Sequence, residues 1–232
     1  MRRFTRIFAP LTASALLALA GTALAFSPTL SSAQVTSAVK QGQSLVSPKH
    51  GYPWKHYLLK QFDGGIDLTK SQMNAEIDAI AVGTPYERVR YQSYIDTYQG
   101  SPLTTKDANA LASRYASTVQ FIVFAHSPAV GAKYQDFLTK FGHATLDIQG
   151  GGTLEAAKQG TFGPARDFYD VTSGKGSVPE PKFLWLGYVS YRFNLRPLAK
   201  QGTNVSNLKG TLTFTDSQGQ KTSLTVDLGN YE

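Results

Sequence analysis

The chain has 232 residues, an excess of Lys and Arg over acids that gives a formal net charge of +7, and no cysteine. That last fact removes disulfides, thiolate metal sites, iron–sulfur clusters and cysteine nucleophiles together, so any fold must be held by burial. The basic excess is spread along the chain rather than gathered into Lys/Arg runs, which argues against nucleic acid as a partner.

Residues 1–25 read as a signal peptide. Arg2, Arg3 and Arg6 form a basic start, Leu11 to Ala20 an apolar stretch, and Ala23 and Ala25 a small-residue cleavage site. Cleavage is expected after Ala25, with a lesser site before Gln34. The apolar stretch falls short of the ~20 residues of a spanning helix, and nothing later in the chain is apolar for long enough to cross a bilayer. A soluble extracytoplasmic protein is therefore expected: periplasmic, envelope-associated or secreted. Arg2-Arg3 lacks the surroundings of a twin-arginine signal.

Residues 26–47 are rich in Ser, Thr, Gln and Ala, and their composition predicts a flexible lead. Residues 48–117 read as a mainly helical portion. Tyr57, Leu58, Leu59 and Phe62 suggest an edge strand, ended by Asp63-Gly64-Gly65. A first helix is predicted from Lys70 to Val82, with Met73, Ile77, Ile80 and Ala81 on one face and Gly83 as its stop. Thr84-Pro85-Tyr86-Glu87 has the pattern of a capping box with proline at the first helical position, opening a second helix that Gly100 and Pro102 close. A third begins near Thr105.

Residues 118–232 read as β-rich and continuous with the helices in one domain. Val119 to Ala125 is apolar on both faces and β-branched, as a buried strand would be, although it also continues the third helix's stripe. Gly131 to Phe141 reads as a short helix or an irregular connection. Ala144, Leu146 and Ile148 alternate with polar residues before the turn at Gly150-Gly151-Gly152. From Phe183 to Leu195 the odd positions are apolar, and the even face turns polar at Ser190, Arg192 and Asn194. A hairpin follows over Thr211 to Leu228. Gly160 to Pro181, dense in Gly, Pro, Ser and Asp, reads as a long loop. The fold class expected is α+β, with a helical N-terminal portion packed with a C-terminal antiparallel sheet or sandwich.

No catalytic motif is present. The four histidines His50, His56, His126 and His143 form no zinc-helix pattern. His143 and Asp147 would stand ~13 Å apart on a strand, too far to share a metal. His126-Ser127 puts a base next to a hydroxyl, but neighbours on a strand point to opposite faces. The carboxylate pairs Asp63/Asp67 and Asp167/Asp170 are too local for glycosidase acids, and no serine elbow, calcium loop or phosphate loop occurs. No cofactor or metal is implied.

Aromatic content points the other way. Tyr91, Tyr94 and Tyr98 share a stripe of the second helix, and Phe162, Phe168 and Tyr169 interrupt the long loop; the candidate binding residues are Tyr91, Tyr94, Tyr98, Phe168 and Tyr169. The bland alternative is that the stripe packs on the sheet. The expectation is a non-catalytic interaction module for an envelope polymer or another secreted protein, with an extracellular hydrolase of dispersed site as the alternative. Exposed tyrosines would favour the first, and a pocket gathering His126, His143 and an acid the second.

Overall fold

The computed structural model describes residues 26–62, 76–129, 131–169 and 182–232. The region read as a signal peptide, both members of Asp63/Asp67, and Asp170 lie outside them.

Order begins earlier than composition predicts. Helix α1 (Ser32–Ser44) is opened by a complete capping box, in which the Ser31 hydroxyl accepts from the Gln34 amide and the Gln34 side chain accepts from the Ser31 amide. The flexible lead expected over 26–47 is corrected accordingly. A polar helix is stable here because it buries a narrow stripe of small side chains, Val35, Ala38 and Gly42, against helix α2 (Pro85–Tyr98). Gly42 is required by that approach: a Cβ there would stand 2.3 Å from the Arg90 carbonyl oxygen.

Helix α2 starts as its sequence demands, with the Thr84 hydroxyl accepting from the Glu87 amide and Pro85 in the first turn. The return half of the box is replaced, because the Glu87 carboxylate turns to Arg88 instead. Helix α3 (Thr105–Tyr115), capped by Thr104, completes a three-helix layer around Val35, Ala38, Tyr86, Val89, Ala108 and Ala112.

The predicted helix from Lys70 to Val82 is overturned in its described part. Ile77–Gly83 is strand β2, and all seven of its residues are buried. It pairs antiparallel with the edge strand β1 (Leu58–Gln61) and with β3 (Thr118–His126). Apolar side chains at Ile77, Ile80 and Ala81 satisfy helical spacing and a doubly buried strand equally well, and the tertiary setting chooses the strand. The portion expected to be mainly helical over 48–117 thus contributes two strands.

Gly160 to Pro181 is also not a loop in its described part. It lies within β6 (Lys158–Tyr169), which pairs with the long strand β7 (Lys182–Asn194) through a register shift between Phe162 and Ala165. One antiparallel sheet therefore has the order β1-β2-β3-β7-β6. The second, with strands β4 (Thr145–Ile148), β5 (Thr153–Glu155), β8 (Lys209–Thr215) and β9 (Lys221–Asp227), has the order β5-β4-β8-β9. Between β3 and β4 the chain makes two 3-10 turns, Ala132–Tyr134 and Phe137–Lys140, and helix α4 (Arg196–Lys200) follows β7.

The two sheets share a core. Val119, Phe121 and Val123 of β3 and Val189, Tyr191 and Phe193 of β7 pack with Leu146, Leu212, Phe214 and Val226. Tyr191 also donates to the Gly142 carbonyl at 2.9 Å. These are odd positions on β3 and β7, so the even positions face the other way, towards the helices. The result is the expected α+β class: helices N-terminal, two antiparallel sheets C-terminal.

Candidate functional site

The even face of the five-stranded sheet is where the chain departs from ordinary packing. Strand register aligns Gln120 with Arg192, Ile122 with Ser190 and Phe124 with Tyr188 across β3 and β7, and Gly160 with Ser190 and Phe162 with Tyr188 across β7 and β6. Over this polar and aromatic row lie Arg88, Tyr91 and Gln92 of α2 and Leu111 and Tyr115 of α3, enclosing a pocket of about 320 Å³. That volume is at the lower end of the ~300–1,000 Å³ range of small-ligand sites.

Four aromatic rings, Tyr91, Tyr115, Phe162 and Tyr188, line it. Tyr188 stacks on Phe162 with centroids 5.2 Å apart and planes 13° apart, and Phe162 is 67% exposed. From Tyr188 the contacts continue to Phe124, Trp54 and Tyr91 at 5.9, 5.3 and 5.2 Å, and Tyr52 joins both Trp54 and Tyr91 at 4.9 Å. Burial raises the pKa of Tyr91 and of Tyr188, so both phenols keep their protons and can donate hydrogen bonds at neutral pH.

Two guanidiniums line the pocket, and no carboxylate or histidine is among its described lining residues. Arg88 lies 4.8 Å over the Tyr91 ring, with its Nε 3.1 Å from Glu87 Oε2. Burial acts against the charge on Arg88, and Glu87 with Tyr115, Tyr91 and Tyr52 more than restores it, so its pKa is raised. Glu87 itself is fully buried, and burial raises its pKa against the opposing pull of Arg88, Arg90 and the Tyr52 hydroxyl. Arg192 lies 4.5 Å over Tyr115 and makes no ion pair with a described residue. Its Nε and the Oε1 of Gln120, on register-paired residues, are both enclosed without a hydrogen-bond partner. Both carboxylate oxygens of Glu76 and of Glu87 are likewise enclosed without a hydrogen-bond partner, and Gln120 and Arg192 differ from these in lining the pocket.

No protein-family model, curated protein or solved structure matches the chain.

The five residues singled out from sequence are divided by the structure. Tyr91 lines the pocket. Tyr94 is buried at 6% exposure, packed between Tyr52 and Tyr98, while Tyr98 is 65% exposed at the end of the row. Phe168 and Tyr169 lie on β6 rather than in a loop, and their side chains fall outside the described part. Arg88, Tyr188, Ser190, Arg192, Gln120 and Phe162 were not singled out. For Ser190 and Arg192 a signal existed, since the even face of the strand ending at Leu195 turns polar; it reads equally as a face towards water.

The histidines do not converge. His126 Nδ1 is 2.9 Å from Asp78 Oδ1, both side chains almost fully buried. The neighbouring Ser127 hydroxyl donates to the Ala129 carbonyl and accepts from the Trp185 amide. It serves the backbone, so it is not poised as a nucleophile. His143 is exposed before β4, and neither histidine lines the pocket.

Proposed function

We propose that the protein is an exported, non-catalytic binding module of the cell envelope or extracellular space, and that it holds its ligand in the pocket between α2, α3 and the five-stranded sheet. The observation that carries this reading is the make-up of the pocket. Flat aromatic surface, two guanidiniums and hydroxyl- or amide-bearing side chains are gathered, with no histidine or carboxylate among the described lining residues, which suits holding a ligand rather than transforming it. The signal-peptide pattern read in residues 1–25 supports export, and a cysteine-free chain folds in any redox setting.

The test is co-sedimentation of the protein secreted from an export-competent host with isolated cell-wall material at low and high salt. Specific contact predicts retention at high salt, and Phe162→Ala should reduce it. Release by salt alone indicates diffuse charge attraction, and no retention at either salt defeats the reading. Intact mass of the secreted protein should give a chain beginning at Phe26; recovery of a Met1 start from the cytosol would defeat the export part.

Among the described residues, the Asp78–His126 pair favours a hydrolase. An acid that orients an imidazole is the arrangement a general base needs. On that reading His126→Gln abolishes release of soluble fragments from wall material, whereas a binding module releases none in either form.

A further inference from the structure

We infer that the pocket's ligand is a carboxylate-bearing sugar ring, a uronate unit of an anionic glycan; this rests on the binding reading above and specifies its ligand class. Charge gives the first argument. Arg88 is matched by Glu87 at 3.1 Å, whereas Arg192 has no carboxylate partner among the described residues, so the pocket presents one surplus positive charge. That matches a single negative charge. A phosphate monoester would bring about −1.5 to −2 and leave part of it uncompensated.

Geometry gives the second. The Tyr115 ring occupies one face of the Arg192 guanidinium, leaving its N–H edge, the part that grips a carboxylate through two parallel hydrogen bonds. Beside it, Gln120 Oε1 is an acceptor without a donor, and Arg192 Nε a donor without an acceptor. A ligand that accepts at one atom and donates at its neighbour answers both, and a sugar acid carries a carboxylate next to hydroxyls. Both protein atoms are enclosed, so engaging them takes a rotation of the two side-chain ends, each free of any competing hydrogen bond at that atom.

The third is shape. The Phe162–Tyr188 stack offers one flat apolar surface at the mouth, suited to the C–H face of a sugar ring, with Thr161, Ser190 and Gln92 close by for hydroxyls. Single-stranded nucleic acid also stacks on aromatic rings, but it is held by a positive groove that follows many phosphates. A small pocket with one surplus charge does not provide that.

The experiment is calorimetric titration of the secreted protein with a short oligogalacturonate, a neutral malto-oligosaccharide, glucose 6-phosphate and oligothymidylate. The expected result is preferential binding of the oligogalacturonate, weakened ~10-fold or more by Arg192→Gln, with the remaining affinity close to that for the neutral sugar. Phe162→Ala should weaken both sugars. Should Arg192→Gln fold poorly, as judged by circular dichroism, wild-type protein across a salt series provides the same separation: added salt weakens the acidic sugar only down to the affinity of the neutral one, which it spares, so stacking on Phe162 still retains the protein at high salt. Equal affinity for the neutral sugar, or tighter binding of the phosphate or the oligonucleotide, overturns the inference and leaves the pocket a binding site. Wall retention that depends on Phe162, without uronate binding, overturns it likewise; loss of both uronate binding and wall retention overturns the inference and the binding reading together.

Discussion

Removing the Glu87 side chain tests how the pocket is held up from beneath. Its carboxylate is fully buried, 3.1 Å from the Nε of Arg88, and Arg88 is the guanidinium that α2 presents to the pocket. At that separation and an effective dielectric of about 20, the attraction is worth about 5 kcal/mol. Taking the two ions out of water costs several kcal/mol each, so the pair gives little net stability over a neutral isostere. Breaking it from one side is different, because Arg88 then keeps its desolvation cost without compensation. Glu87→Ala should therefore lower unfolding free energy by about 3–5 kcal/mol, including the space left by the deleted side chain. Glu87→Gln keeps the shape and gives up a charge that burial already disfavours, and should cost less than about 2 kcal/mol. The measurement is urea unfolding at neutral pH, read as a shift in midpoint at constant slope. An alanine variant within about 1 kcal/mol of wild type, or a glutamine variant as damaged as the alanine one, would refute the reasoning.

The same carboxylate carries a pH prediction. Burial raises the pKa of Glu76, Glu87 and Glu232 above the ordinary value of 4.5. Above that value the folded protein therefore binds more protons than the unfolded chain, and stability falls as pH rises through the folded-state pKa values. Unfolding midpoints should thus increase as pH is lowered from neutral towards the ordinary carboxylate value, and Glu87→Gln should flatten the slope. Gly187→Ala would place a Cβ 2.5 Å from both the Phe162 carbonyl oxygen and Leu138 Cδ1. A backbone atom cannot yield as a side-chain tip can, so a loss of about 1–3 kcal/mol is expected, together with displacement of the Phe162–Tyr188 stack visible as weakened ligand binding. Ser31→Ala removes one side of the α1 capping box and should cost about 1 kcal/mol, with faster amide exchange confined to the start of α1; unchanged exchange there would show that the cap does not hold the helix.

Much of the fold follows from local chemistry. Thr84-Pro85 and Thr104 start their helices where hydroxyl caps should, and the period-two alternation of β4, β7, β8 and β9 fixes which residues enter the core. The β-branched run of β3 is a strand for the same reason its side chains suggest. Ser31 and Gln34 also carried a legible capping box, but average composition, which is blind to a narrow buried stripe of Val35, Ala38 and Gly42, predicted disorder instead. At β2 no local signal distinguishes helix from strand; pairing with β1 and β3 decides it.

The site divides along the same line. That the even face of β7 turns polar at Ser190, Arg192 and Asn194, that α2 is tyrosine-rich and that no cysteine chemistry is present are properties of the sequence alone. That Arg192 meets Tyr115, that Arg88 stands on a buried Glu87 and that Phe162 stacks on Tyr188 depend on residues far apart in the chain. Periodicity tells which side of a strand a residue occupies; only the packing of other elements determines whether that side meets water, a helix or a ligand.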